Sequence, residues 1–125
     1  MKAYLIVAVG SALGGALRHG VNVVAARLLG TGWPHGTLAV NVIGSFAIGA
    51  VIGYFAVRGH GARTWLLFLT TGVLGGFTTF SAFSLDAVLL YERGRMMQAA
   101  LYVGLSVALS IAGLMVALAI VRRIL

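Results

Sequence analysis

Cysteine is absent from this chain, which excludes disulfides, thiolate metal sites and a cysteine nucleophile. Acidic residues are nearly absent: Asp86 and Glu92 are the only two, too few and too near a span end for a proton relay. The three histidines, His19, His35 and His60, have no ligand spacing, so neither a metalloenzyme nor a nucleophilic enzyme is legible. Charge of any kind is scarce. Charged residues make up 9% of the 125 positions, where a soluble domain carries about a quarter. Nor is there a polar linker, a charge block or a low-complexity tract, so one unit is expected over residues 1–125. Nine Lys and Arg against two acids would suit a nucleic-acid binder only if the bases shared a soluble face. Here they punctuate apolar runs, and nucleic acid is excluded as a partner.

What is present is hydrophobic length. A bilayer core of about 30 Å needs roughly 20 apolar residues in a helix. Segments 37–57, 65–85 and 97–121 contain no Asp, Glu, Lys or Arg. A fourth run, 4–29, holds one charge, Arg18, whose cost at depth is about 2.5 kcal/mol or more and asks for a reason. A signal peptide competes for this N-terminus, but the run is long and shows no small-residue cleavage site before Arg18, so it reads as a retained helix. The expected fold is all-α, with transmembrane helices over roughly 4–29, 37–57, 65–90 and 97–121. The connectors 30–36, 58–63 and 92–95 are short, so successive helices must alternate in direction. Lys2, Arg58, Arg63, Arg122 and Arg123 then share one side with both termini, and Arg27, Arg93 and Arg95 take the other. Five against three is a weak bias for the positive-inside rule, so both insertion orientations are open. Such a chain can pair with an inverted copy of itself, supplying the two opposed halves that transporters build from inverted repeats. An antiparallel homodimer in the lipid bilayer is the expected assembly.

Eighteen glycines suit helices that approach closely in lipid, where small residues rather than hydrophobicity drive association. Gly10 with Gly14, and Gly49 with Gly53 extended back to Ser45, have that spacing, and plain packing explains them. The third span is more informative. Thr70, Thr71 and Gly72, then Gly75 to Ser81, crowd glycine and hydroxyls around its midpoint near residue 75. Glycine costs a helix about 1 kcal/mol relative to alanine, so local unwinding is expected there, freeing carbonyls of the kind that hold ions in transporters. An intact, glycine-packed helix is the competing reading.

Beyond it, Phe80 and Phe83 share a helix face. Their ring edges carry partial positive charge and can meet a small anion, although two Phe on a membrane helix are more commonly packing residues. Tyr102, Ser106 and Ser110 follow at four-residue intervals on the last span and form one polar stripe. Their hydroxyls either replace ion hydration or bond back to their own helix. Asn41 carries an amide that must find partners in hydrocarbon, an ion or another helix. Arg18 is free to snorkel, to anchor a helix contact or to line an anion-attracting vestibule.

With GGFTTFSAF at 75–83, Asn41 within GTLAVNVIGSF and Arg18 within GGALR, the whole chain resembles the Fluc/CrcB family of fluoride channels. The resemblance implies a dual-topology antiparallel homodimer in the bacterial inner membrane, with two fluoride pores and one structural sodium ion at the dimer centre. By motif position, backbone carbonyls of Gly75 and Thr78 would hold sodium, and Phe80 and Phe83 would be the pore phenylalanines. Asn41 would touch fluoride, Ser106 and Ser110 with Tyr102 nearby would form the polar track, and Arg18 would stand in the vestibule. Ala82 departs from the family pattern where a hydroxyl is usual, and Leu114 where a further Thr is common. Fluoride suits such a lining, because a strongly hydrated ion needs donors along its path, yet binding must stay weak enough for exit. Two other classes were weighed. A proton-coupled exporter like the small multidrug-resistance transporters needs an acid in its first helix, and this one has Arg18. A holin-like or scaffolding oligomer predicts that Asn41, Phe80 and Phe83 tolerate substitution.

Overall fold

The computed structural model describes residues 1–59 and 63–125, and His60 lies outside them. It is all-helical. Helix α1 spans Lys2–Leu29 and α2 spans His35–Arg58. The third crossing, Arg63–Glu92, is composite: α3 (Arg63–Leu67), a π-helical stretch Phe68–Leu74, one turn α4 (Gly75–Phe77), a break, and α5 (Phe80–Glu92). Helix α6 closes the chain over Met96–Ile124. All four crossings are long and apolar enough to span a membrane, making this a multi-pass membrane protein. Their ends run one to three residues past the apolar segments at most termini, because terminal residues such as Arg58 and Arg122 extend the helix into the interface without entering hydrocarbon.

Close backbone contact joins the helices in two parallel pairs. Gly10 and Gly14, both buried, lie against the third crossing, Gly10 at Phe68 and Gly72 and Gly14 at Val73 and Phe77. A Cβ on Gly14 would collide with the Val73 carbonyl oxygen, and one on Gly76 would sit 2.5 Å from the Ser11 carbonyl oxygen. On the other side Gly49 packs on Leu114 and Ala117 of α6, and Gly53 on Leu118 and Val121. Both small-residue pairs read from the sequence are therefore packing faces. Ser45 instead faces a cleft described below.

The third crossing breaks at its middle. Thr78 (φ −79°, ψ 156°) and Thr79 (φ −152°, ψ 117°) are extended, three to four residues beyond the expected midpoint at Gly75. The residues flanking Gly72 soften first: Thr70 Oγ1 donates to the Leu66 carbonyl at 2.8 Å, a side-chain bond that competes with the helix ladder where the π-helical stretch runs. Thr78 Oγ1 likewise donates to Leu74 O at 3.0 Å. The chain restarts at Thr79, whose Oγ1 caps α5 by accepting from Ala82 N at 3.1 Å. At one end of the bundle Arg95 Nη1 donates to Gly32 O at 3.0 Å, so the connectors after α1 and after α5 lie on the same side.

Candidate functional site

The break at Thr78 and Thr79 is held from a distance of 38 residues in sequence. Asn41 Oδ1 accepts from Thr79 N at 2.8 Å, and Asn41 Nδ2 donates to Thr79 O at 3.0 Å. An amide side chain thus replaces the backbone partners that an unbroken helix would provide. In such a helix Thr79 N would close on Gly75 O. With that donor diverted and Thr78 N still on Leu74 O at 3.0 Å, the carbonyls from Gly75 onward are those of a helix C-terminus, without intrahelical partners. Gly75 itself is exposed. Arg18 approaches the same place, its Nη1 3.5 Å from Thr78 O. Of the three roles open to Arg18 in the sequence, an anchoring contact is the one with a partner within this chain.

Beside the break lies an open-sided cleft of about 340 Å³. Asn41, Ser45, Thr78, Thr79, Phe80 and Phe83 line it from one side, and Ser106, Val107, Ser110 and Ile111 of α6 from the other. Five of the six residues read as pore candidates meet here. Phe80 and Phe83 have ring centroids 5.4 Å apart at 47°, and Phe80 is 79% exposed. Ser106 is 5% exposed, and its Oγ is buried with no hydrogen-bond partner. It does not bond back to its own helix, the ordinary habit of serine in hydrocarbon. An unmet buried hydroxyl costs about 1–3 kcal/mol, which makes Ser106 the costly polar group of this wall.

Tyr102 is the sixth candidate and stands behind the cleft rather than in its wall. It is 0% exposed, packs on Phe83 with ring centroids 5.3 Å apart at 42° and meets Trp33 edge-on at 5.4 Å. Its hydroxyl donates to Asp86 Oδ2 at 3.1 Å. Asp86 also lines a second cleft, about 220 Å³ and more polar, with Asn22, His35, Thr37 and Arg93 at the end where the first connector lies. The aromatic series Phe80, Phe83, Tyr102, Trp33 runs from one cleft toward the other.

Three residues of this site were not singled out by sequence reasoning. Thr79 had a signal, being a Thr directly before an apolar helical run, the position of an N-cap. The glycine spacing of Ser45 points to packing alone, and the position of Asp86 near a span end points to the interface. Of the two departures from the family pattern, Ala82 gives its backbone N–H to the Thr79 cap, and Leu114 lies beyond the cleft, its carbonyl against Gly49.

The comparisons with known proteins agree on one family. The sequence model described as CrcB-like protein, Camphor Resistance (CrcB), matches residues 5–118. A fluoride-specific ion channel FluC of Methylobacterium nodulans is 60% identical over 119 residues, 95% of each chain. FluC 2 of Nitrobacter hamburgensis is 54% identical over 97% of this chain and 98% of its own. The FluC of Granulibacter bethesdensis is also 54% identical, over 99% and 98%.

Proposed function

This chain belongs to the CrcB family, and from that membership we propose that it is a fluoride-selective channel, exporting fluoride by passive electrodiffusion. It is a transport protein and not an enzyme. The observation that carries the reading within the chain is the buried, unpartnered hydroxyl of Ser106, a residue that lines the same cleft as Phe80 and Phe83. Fluoride that has shed water needs donors, and this lining offers a hydroxyl, the second amide hydrogen of Asn41, the Ser110 hydroxyl and electropositive ring edges. All are neutral. Binding is therefore weak enough to release the ion, while Arg18 supplies one positive charge near the break.

Two inverted copies complete the channel as an antiparallel homodimer in a bacterial inner membrane, each copy contributing to two pores. The open side of the cleft supports a second copy, since Phe80, a wall of that cleft, faces out in a single chain. At the dimer centre, carbonyls of Gly75 and Thr78 from both copies hold one sodium ion. The donor set fits a hard cation: the break frees oxygens, and among the described residues no cluster of His, Cys, Asp or Glu competes for a metal. One chain offers two such carbonyls, so only a pair of chains surrounds an ion. Arg18 occupies one lone-pair side of Thr78 O at a long 3.5 Å, leaving the other.

Phe80→Ile and Phe83→Ile, measured for fluoride efflux and for dimer content, test the assignment. Efflux is expected to fall while the dimer persists. Unchanged efflux in both variants would remove the phenylalanines from the pore.

A further inference from the structure

The chain is polarised in charge along the membrane normal. Lys2, Arg58, Arg63, Arg122 and Arg123 lie at the end shared by the start of α1 and the ends of α2 and α6, while the chain's two acidic side chains both sit in α5, toward the other end. The parallel run of α2 and α6 brings Arg58 level with the last turn of α6, because Gly53 already packs against Val121. These arginines are exposed. Below Arg58, on the same face of α2, lies an apolar groove of about 540 Å³ between α2, α3 and α6. Tyr54, Phe55, Trp65, Leu69, Val121 and Ile124 are among its walls, and almost none of its surface is polar.

The levels match one kind of molecule. Tyr54 precedes Arg58 by one helical turn, about 6 Å at 1.5 Å per residue, on the groove face of α2, while on α6 Val121, Ile124 and Leu125 take the groove face and Arg122 stands at its flank. Cations at the interface over an apolar slot, with Trp and Tyr at the boundary, complement an anionic headgroup above an acyl chain. We propose that this groove is a site for an anionic phospholipid, its headgroup held by Arg58 and one acyl chain lying along Trp65 between α2 and α6. Nothing in this proposal depends on fluoride. In an antiparallel dimer each leaflet would receive one such site, so anionic lipid would hold both insertion orientations alike.

The two tryptophans make the test direct, since Trp65 is in the groove and Trp33 lies at the opposite end beside Tyr102. A Trp33→Phe protein leaves Trp65 as sole reporter. It is reconstituted into phosphatidylcholine vesicles carrying the same small mole fraction of acyl-brominated phosphatidylglycerol or acyl-brominated phosphatidylcholine. Quenching by the anionic lipid is expected to exceed that by the zwitterionic one as though it were enriched roughly fivefold, the factor one basic residue supplies at a charged surface. The excess should vanish in R58Q and persist in R58K, which keeps the charge and controls for folding. Equal quenching by the two lipids in the parent, an excess surviving the glutamine, or its loss in the lysine variant would each overturn the proposal. So would absence of quenching by either lipid, which would mean that a second copy covers the groove.

Discussion

Replacing Asn41 by Ala removes both hydrogen bonds that hold the break in the third crossing. The Thr79 backbone they satisfy belongs to a residue only 7% exposed, so water is a poor substitute. Each orphaned group costs about 1–3 kcal/mol, giving a loss on the order of 2–6 kcal/mol if the backbone stays where it is. A cheaper response exists. The freed Thr79 N–H can return to Gly75 O, closing the helix over the carbonyls that the break exposes. Asn41→Ala is therefore expected to lose stability in mixed-micelle denaturation and to lose fluoride efflux, with slower hydrogen exchange at the Thr79 amide if the helix closes. A variant Asn41→Ala within about 0.5 kcal/mol of the parent, with full efflux, would refute the claim that this amide maintains the break.

Ser106→Ala should move stability and function in opposite directions. Deleting an unpaired buried hydroxyl is expected to leave denaturation unchanged or to raise stability by about 1 kcal/mol, while efflux falls. Gly14→Ala places a methyl on the Val73 carbonyl and Gly76→Ala one on Ser11, so each should cost about 2 kcal/mol or more in the same assay, as overpacked contacts do. Gly15→Ala meets nothing within 4 Å and is expected to be neutral or to stabilise by up to about 1 kcal/mol, since alanine is the better helix former. Equal responses at Gly14 and Gly15 would contradict the packing described. Tyr102→Phe removes the hydroxyl from Asp86 and leaves the ring against Phe83, so efflux should change less than in Phe83→Ile.

The four crossings were legible because lipid demands long uncharged runs, and a single Arg18 within the run did not hide the first. The interruption of the third was legible from its glycine and threonine content, and that Phe80 and Phe83 share a face from helical spacing, whereas their role came only with the family resemblance. The exact break point was not, since it is decided by a partner: Asn41 captures Thr79, and no local propensity reveals which amide a distant side chain will reach. Ser106 and Ser110 could be put on one stripe, but whether Ser106 bonds back to its helix depends on what packs around it. Tyr102 followed the same four-residue period and yet turned to Asp86, because the helix α5 beside it presents a carboxylate there. Periodicity identifies a face, while hydrogen bonds across helices decide what that face does.

The most direct test is fluoride release from liposomes carrying the purified protein, followed with an ion-selective electrode, a potassium ionophore collapsing the opposing voltage and chloride as the control anion. Rapid release of fluoride without chloride is the expected result. Release no faster than from empty liposomes, from protein shown to be folded, would contradict a fluoride channel and leave only the four-helix membrane architecture.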